Sequence, residues 1–245
     1  MSTAAERIGR NLAAIGARIA AAAVRAGRDP AGVELLVVTK TVDAETTAAL
    51  LDCGITAIGE NRVQDALAKA EALGDVAGRF RWHLLGHLQT NKAKKALGLF
   101  GAMHSLDSVR LAEALEKELS RAASSSLATR DPQPARAFPV FVEVNTSGDA
   151  SKTGASKAEV RAIFEKLKSC PHLQPAGLMT MGPLDGGPEA ARPCFRQLRE
   201  MLGALRAEGL APEGCTGLSM GMTGDFEVAV EEGATIVRIG TAVFA

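Results

Sequence analysis

The stretch Val33-Glu34-Leu35-Leu36-Val37-Val38-Thr39-Lys40 is the first strongly apolar run of the chain. A short run of aliphatic and β-branched residues with few polar interruptions is typical of a strand buried on both faces, as in a parallel sheet. Lys40 closes the run, so a buried strand would deliver its amine into a pocket. The run therefore predicts a parallel sheet and a candidate functional lysine.

Seven further apolar runs follow, and helical patterns separate them. The eight predicted strands are residues 35–38, 56–58, 82–85, 102–104, 140–144, 176–179, 216–218 and 236–239. The predicted helices between and after them are residues 44–51, 62–73, 90–97, 108–119, 157–168, 189–207 and 226–232. Buried strands that alternate with helices favour a parallel sheet, and eight such units in 245 residues favour a closed (β/α)8 TIM barrel over an open sheet.

Two segments lie outside this alternation. Residues 4–26 form an alanine-rich helical pattern that ends at Gly27, which predicts an extra N-terminal helix before the first strand. Residues 121–137 are rich in serine and proline, and we interpret them as a flexible loop insertion within one domain that spans residues 1–245. The α/β chain is thus expected to be a single barrel domain.

The composition excludes several classes of protein. Lysine plus arginine equals aspartate plus glutamate at 28 each, so no global charge directs the protein to nucleic acid or to an anionic membrane. No run approaches the 18 or so consecutive apolar residues that a membrane-spanning helix needs, and the N-terminal residues lack a signal-peptide core. We expect a cytoplasmic protein. Sustained heptads and exposed apolar seams are also lacking, so we expect a monomer.

The four cysteines, Cys53, Cys170, Cys194 and Cys215, are widely scattered and form no C-x-x-C pair. This spacing disfavours both a disulfide framework and a zinc site. We therefore expect four reduced cysteines and no metal site.

Polar residues follow or end the predicted strands, where barrel proteins build their sites. They include Lys40, Asn61, His83, His104, Asn145, Ser219, Arg238 and Thr241. Ser219 and the pair Gly240-Thr241 fall in the loops after strands seven and eight, which often bind phosphate through hydroxyl and backbone N–H groups. One lysine and one anion site suggest a phosphorylated aldehyde as the ligand.

A set of ordered motifs makes this suggestion specific. They are Thr39-Lys40, Ile58-Gly59-Glu60-Asn61-Arg62-Val63-Gln64, Trp82-His83-Leu84-Leu85-Gly86-His87-Leu88-Gln89-Thr90-Asn91-Lys92, His104-Ser105-Leu106-Asp107-Ser108, Val144-Asn145-Thr146-Ser147-Gly148, Gly177-Leu178-Met179-Thr180-Met181 and Leu218-Ser219-Met220-Gly221-Met222. Together they resemble the YggS/PROSC family of pyridoxal phosphate homeostasis proteins over nearly the whole chain, residues 121–137 excepted. The resemblance implies a fold-type III barrel, similar to the alanine racemase N-terminal domain, that binds pyridoxal 5′-phosphate (PLP).

The resemblance implies a role for each candidate residue on the cofactor's ring side. Lys40 would hold PLP as a Schiff base, which requires a neutral amine. Arg238 would face the pyridine nitrogen, and Asn61 would line the pocket near the ring. His83 and Met220 would be further neighbours of the cofactor.

On the phosphate side, the resemblance implies Ser219, Gly240 and Thr241 as ligands. Each residue also has a simpler interpretation when it is considered alone. Ser219 or Asn61 could cap the helix that follows it, and Arg238 could be an ion-pair partner. The sequence motifs leave these alternatives open, although their context favours cofactor binding.

The absence of tyrosine bears on whether the protein is an enzyme. PLP chemistry uses the cofactor as an electron sink, and an arginine opposite the ring nitrogen weakens that sink by disfavouring its protonation. Alanine racemase, to which the family is similar, uses a tyrosine as its second base. Two-base racemase activity is therefore disfavoured, although another second base such as His83 stays open.

We therefore expect a non-catalytic protein of vitamin B6 homeostasis that buffers PLP or delivers it to PLP-dependent apo-enzymes, with effects on amino-acid and keto-acid balance. Two alternatives stay open at this level. One is a PLP-dependent amino-acid racemase or lyase. The other is a barrel that binds a different phosphorylated metabolite without a covalent bond.

Overall fold

The computed structural model describes residues 4–126, 137–146, 153–183 and 185–245. The strands in these ranges are β1 Glu34–Val38, β2 Ala57–Glu60, β3 Arg81–Leu84, β4 Ala102–Leu106, β5 Phe138–Glu143, β6 Leu173–Met179, β7 Gly217–Ser219 and β8 Ile236–Ile239. The α-helices are α1 Ala4–Arg25, α2 Ala44–Ala48, α3 Val63–Leu73, α4 Ala93–Leu97, α5 Val109–Ser126, α6 Lys157–Leu167, α7 Pro188–Ala207, α8 Phe226–Glu231 and α9 Thr241–Phe244.

The eight strands form a closed parallel barrel in sequence order, and β8 pairs with β1 to complete it. Leu36 of β1 lies opposite Arg238 of β8 in that closing register. Every strand hydrogen-bonds on both sides, so the sheet has no free edge. The predicted (β/α)8 TIM barrel is confirmed.

The extra N-terminal helix is also present. One face of α1 is buried, with apolar residues at helical spacing: Ile8, Ile15, Ile19, Ala22 and Ala23. This face packs on α8 and α9. The side chain of Asn11 donates to the carbonyls of Val243 at 3.1 Å and Ala245 at 2.9 Å. Helix α1 therefore braces the part of the barrel that contains β8.

The predicted flexible insertion at residues 121–137 differs from the structure at its start. Helix α5 continues to Ser126, so residues 121–126 are helical. Ser124 Oγ donates to the Ser120 carbonyl at 2.9 Å, a bond that lets a serine sit inside a helix. The serine-rich composition therefore misled the prediction here, and residues 127–136 lie outside the described residues.

The barrel lumen contains both apolar and polar side chains. Its apolar cluster contains Leu36, Ala57, Phe141, Met179 and Ile236. Cross-strand neighbours of these residues point the same way, because side chains alternate between the two faces of a strand. The register thus places Arg238 beside Leu36, and both Ser219 and Glu143 beside Met179.

Most of the other buried apolar residues form one continuous core between the barrel and its helices. Within the described ranges, no helix is both long enough and apolar enough to cross a membrane. The same residues contain no group of three or more His, Cys, Asp or Glu side chains that could hold a metal ion, and all four cysteines are free thiols.

Candidate functional site

A cavity of about 290 Å³ opens at the carboxyl ends of the strands. Its wall consists of Val38, Lys40, Thr41, Asn61, Leu85, Met179, Met181, Met222, Thr223, Gly224, Arg238, Gly240 and Thr241. Five of the eight predicted site residues thus share one cavity: Lys40, Asn61, Arg238, Gly240 and Thr241. Two wall residues are cationic, and none of these thirteen is acidic. Such a wall favours an anionic ligand.

Lys40 reaches the cavity because the side chains alternate beyond the end of β1. Val38 contributes to the wall, Thr39 is buried on the outer side, and Lys40 is again on the cavity side with an exposed side chain. Thr39 N donates to the Gly59 carbonyl at 3.0 Å, which extends the pairing of β1 with β2. The backbone that carries the amine is therefore fixed by the sheet.

A buried ion pair lies under the same two strand ends. Lys69 of α3 contacts Glu60 Oε1 at 2.5 Å and also donates to the carbonyl of Thr39. The Thr39 hydroxyl donates to the same Glu60 oxygen at 2.7 Å. Because Thr39 precedes Lys40 and Glu60 precedes Asn61, this cluster ties together the two loops that carry cavity residues.

Asn61 is held by its backbone against the β3–α4 loop. A Cβ atom on Gly86 would lie 2.2 Å from the Asn61 carbonyl oxygen, so this contact requires glycine. Arg62, and not Asn61, occupies the N-cap position of α3. The alternative interpretation of Asn61 as the helix cap is therefore not what the structure shows.

Arg238 is buried in the lumen with its guanidinium at the cavity wall. Nη1 donates to Ser219 Oγ and Nη2 donates to the Thr180 carbonyl, both at 3.0 Å. These acceptors are neutral. Burial lowers the pKa of Arg238 to about 10, although the more distant carboxylates of Asp225 and Glu143 act in the opposite direction. Neither of these two acceptors is a carboxylate, so the guanidinium is a buried cation that they do not neutralise. Such a group is suited to a ligand that accepts hydrogen bonds.

Ser219, His83 and Met220 do not reach the cavity wall. Ser219 is fully buried, and its hydroxyl contacts Arg238 and His104. His83 is buried deeper in the lumen against His104. Met220 belongs to the outer core between the sheet and the helices, because it follows the inward-facing Ser219 by one residue. Direct contact of these three side chains with a cofactor stays a prediction that their positions do not support.

The sequence interpretation named the loop after β7 as a phosphate-binding loop, but it did not name the residues of that loop that form the cavity wall. Met222, Thr223 and Gly224 all contribute to the wall. Asp225 fixes this loop, because its Oδ1 accepts from Met222 N at 2.6 Å. A second hydroxyl four residues after Ser219 was the available signal, but only the loop's path shows that it is Thr223 that reaches the cavity.

The C-terminal side of the cavity is formed by Gly240 and Thr241, at the start of α9. Backbone N–H groups at a helix start have no partner within the helix and can donate to anions. A Cβ on Gly240 would lie 2.9 Å from the Val38 carbonyl oxygen, so glycine permits close packing against β1 here. This side of the cavity can therefore offer backbone donors as well as the Thr241 hydroxyl.

The fold and the site define a class of protein, a closed parallel barrel with a lysine-bearing cavity at the carboxyl ends of its strands. The family described as alanine racemase, N-terminal domain, matches residues 11–245. The chain belongs to this family and, within it, to the pyridoxal phosphate homeostasis proteins.

The relatives are similar over their whole length. A pyridoxal phosphate homeostasis protein from Aquifex aeolicus is 42% identical over 98% of this chain and 97% of its own. One from Pseudomonas aeruginosa is 38% identical over 100% of this chain and 96% of its own. The structure of PipY from Synechococcus elongatus with PLP bound has a TM-score of 0.80 and 33% identity, covering 97% of this chain and 100% of that chain.

Proposed function

We propose that the protein binds PLP in this cavity through a Schiff-base link to Lys40 and serves PLP homeostasis by buffering or delivering the cofactor. The observation that carries the proposal is the wall itself, with an exposed lysine amine, a buried guanidinium and no carboxylate. PLP is an anion that carries an aldehyde, a ring nitrogen and a phosphate. The cavity offers a matching group for each of these features.

Arg238 is the group suited to the ring nitrogen. Its guanidinium is fixed by Ser219 and Thr180 and can only donate hydrogen bonds. Asn61, Leu85 and Met179 supply the polar and apolar surface around a ring. Bound PLP supplies an electron sink for chemistry at an amino acid's α-carbon, and a donor-only cation at the ring nitrogen weakens that sink.

Gly240, Thr241, Thr223 and Gly224 are suited to hold the phosphate. They lie on the two loops that follow β7 and β8, and they provide two hydroxyls and backbone N–H groups. Phosphate at these two loops is a recurrent arrangement in barrels of this kind. Ser219 acts on the site indirectly in this proposal, through its hydrogen bond to Arg238.

The same wall supports a non-catalytic role. Of the described residues that form it, Lys40 is the one side chain of a type that serves as a general base, because the wall contains no His, Asp, Glu, Cys or Tyr. A two-base racemase needs a second such group on the opposite face of the substrate. We therefore propose that the protein acts without turnover of amino acids, and that PLP-dependent apo-enzymes are its recipients.

The test is a visible absorption titration with PLP, followed by borohydride reduction and mass mapping of the modified peptide. We expect one phosphopyridoxyl group on Lys40, its loss in Lys40→Ala, and its retention in Lys95→Ala, which removes an exposed lysine of α4. An unmodified Lys40 in the wild type would refute the covalent site. Exchange of an amino acid's α-proton in deuterated water, faster than with free PLP and dependent on Lys40, would instead show an enzyme.

A further inference from the structure

A chain of hydrogen bonds crosses the barrel lumen behind the cavity wall. It begins at Arg238 Nη1, which lies 3.0 Å from Ser219 Oγ. Ser219 Oγ lies 2.7 Å from His104 Nδ1, and His104 Nε2 lies 2.9 Å from His83 Nδ1. The four residues come from β8, β7, β4 and β3, and all are buried. Closure of the barrel therefore brings them together.

In one direction, this chain of hydrogen bonds forms all three of its bonds and leaves a single hydrogen, on His83, without a partner among the described residues. A guanidinium only donates, so Ser219 Oγ accepts from Arg238. In this direction the single hydrogen of Ser219 points to His104 Nδ1, and the proton of His104 lies on Nε2 and points to His83 Nδ1. The remaining proton of His83 lies on its Nε2, a buried atom with no hydrogen-bond partner in the described residues.

Both imidazoles are neutral in this arrangement. Burial, and then the charge of Arg81, lowers the pKa of His83 to about 3. Burial, followed by the charges of His83, Arg238 and Arg81, lowers the pKa of His104 well below its usual value. The groups that contact the guanidinium along these hydrogen bonds are therefore neutral. They do not compensate its positive charge, which can act on an anionic ligand. Phe141 stacks on His104 with the ring centroids 4.3 Å apart, which restrains the plane of the ring.

We propose that His104 is a positioning residue of the cofactor site, which holds the guanidinium of Arg238 at the cavity wall by fixing the hydroxyl of Ser219. This inference rests on the proposed binding of PLP. Without an acceptor at the Nδ1 position, the Ser219 hydroxyl is free to rotate and its lone pair is no longer fixed towards Arg238. One guanidinium nitrogen would then keep the Thr180 carbonyl as its anchor, and the other would lose its own.

Three variants test this role through the dissociation constant of PLP. His104→Leu removes the acceptor, His104→Asn keeps an acceptor near the position of Nδ1, and Ser219→Ala removes the link. We expect His104→Leu and Ser219→Ala to weaken PLP binding by about tenfold or more, as loss of an outer partner does in metal sites. His104→Asn is expected to recover most of the affinity.

The double variant Ser219→Ala/His104→Leu separates positioning from loss of stability. If His104 acts through Ser219, adding His104→Leu to Ser219→Ala gives no further loss of affinity, because the link is already broken. Phe164→Leu is the matched control, since it removes packing from α6 in the core outside the barrel and touches none of these hydrogen bonds. We expect it to lower the Tm without changing PLP affinity.

Each outcome decides the matter. Equal PLP affinity of the wild type and the His104 and Ser219 variants would overturn the positioning role while leaving the proposed function intact. Fully additive losses, or a loss in Phe164→Leu as large as in His104→Leu, would overturn it as well. Failure of the wild type to bind PLP would overturn both proposals. Should His104→Leu not fold, His104→Asn and Ser219→Ala still provide the comparison.

Discussion

Lys69 Nζ lies 2.5 Å from Glu60 Oε1, directly beneath the loops that carry Lys40 and Asn61. The Glu60 side chain is 1% exposed and that of Lys69 is 10% exposed. The second oxygen of Glu60, Oε2, is buried and has no hydrogen-bond partner among the described residues. Lys69 is therefore the counter-charge that makes burial of this carboxylate tolerable.

From this contact we expect Lys69→Met to lower the free energy of unfolding by about 3–5 kcal/mol, because it leaves a buried charge unpaired. Urea denaturation measures the change. The double variant Lys69→Met/Glu60→Gln removes that charge and should regain part of the loss. A Lys69→Met protein as stable as the wild type would show that Glu60 is hydrated or protonated in the folded state.

Gly86 gives a second prediction, because the space for a side chain there is taken by the Asn61 carbonyl. Gly86→Ala should force the loop after β2 to move and lower the free energy of unfolding by about 1–3 kcal/mol. PLP affinity should fall with it, since Asn61 belongs to the cavity wall. Thermal unfolding and a PLP titration on the same sample measure both effects.

Gly203 is the control for that substitution. It lies on the exposed side of α7, and a Cβ there would have no atom within 4 Å. Gly203→Ala should raise the free energy of unfolding by about 0.5–1 kcal/mol and leave PLP affinity unchanged. If Gly86→Ala behaves like Gly203→Ala, the close contact with Asn61 is not a constraint.

The buried histidines predict a loss of stability in acid. An unfolded histidine takes up a proton near pH 6.5, whereas His83 in the folded protein does so only near pH 3. Between these values the unfolded state binds more protons, so the free energy of unfolding falls as the pH falls. His104, whose pKa is also lowered, acts in the same direction.

Each of these histidines contributes up to about 1.4 kcal/mol per pH unit below pH 6. Glu143 and Asp225 oppose this trend, because burial raises the pKa of each carboxyl and their protonation favours the folded state. The difference between wild type and His104→Asn isolates one histidine. Denaturant midpoints at pH 7 and pH 5 should show the smaller decline for the variant; parallel declines would mean that His104 is not a source of the effect.

Glu232 gives a prediction away from the cavity. Its buried carboxylate accepts from Arg192 at 3.3 Å, Arg196 at 3.0 Å and Arg199 at 2.9 Å, where α8 leads into β8. Glu232→Gln should lower the free energy of unfolding by about 2 kcal/mol, because it weakens several charge-assisted hydrogen bonds. PLP affinity should not change, since Glu232 lies at the amino end of the barrel. A lower affinity would link this cluster to the site.

The sequence was sufficient for the barrel, because the strands of a parallel sheet are continuous apolar runs that local pattern reveals. It was also sufficient to place Lys40 and Arg238 in one cavity, since the carboxyl ends of all strands meet on one face. The joint prediction of Ser219 and Met220 as cofactor neighbours could have been avoided. Adjacent strand residues face opposite ways, so both could not point into the lumen.

Other features were beyond local pattern. The pairing of Lys69 with Glu60 and the chain of hydrogen bonds from Arg238 to His83 depend on which side chains meet in the folded structure. Thr223 reaches the cavity through the path of a loop that Asp225 fixes. Such contacts arise from tertiary packing, and no periodicity in the sequence encodes them.

Helix α1 also bears on how the molecule assembles. Asn11 bonds to Val243 across 232 positions of sequence, and Arg18 bonds to Glu227 across 209. Contacts so distant in sequence form late and slowly, because a long loop must close before they are made. The ribosome thus completes α1 long before β8 exists, and until then its partners α8 and α9 are missing. We expect the ability to bind cofactor to arise at the end of folding, in the same event that covers this helix.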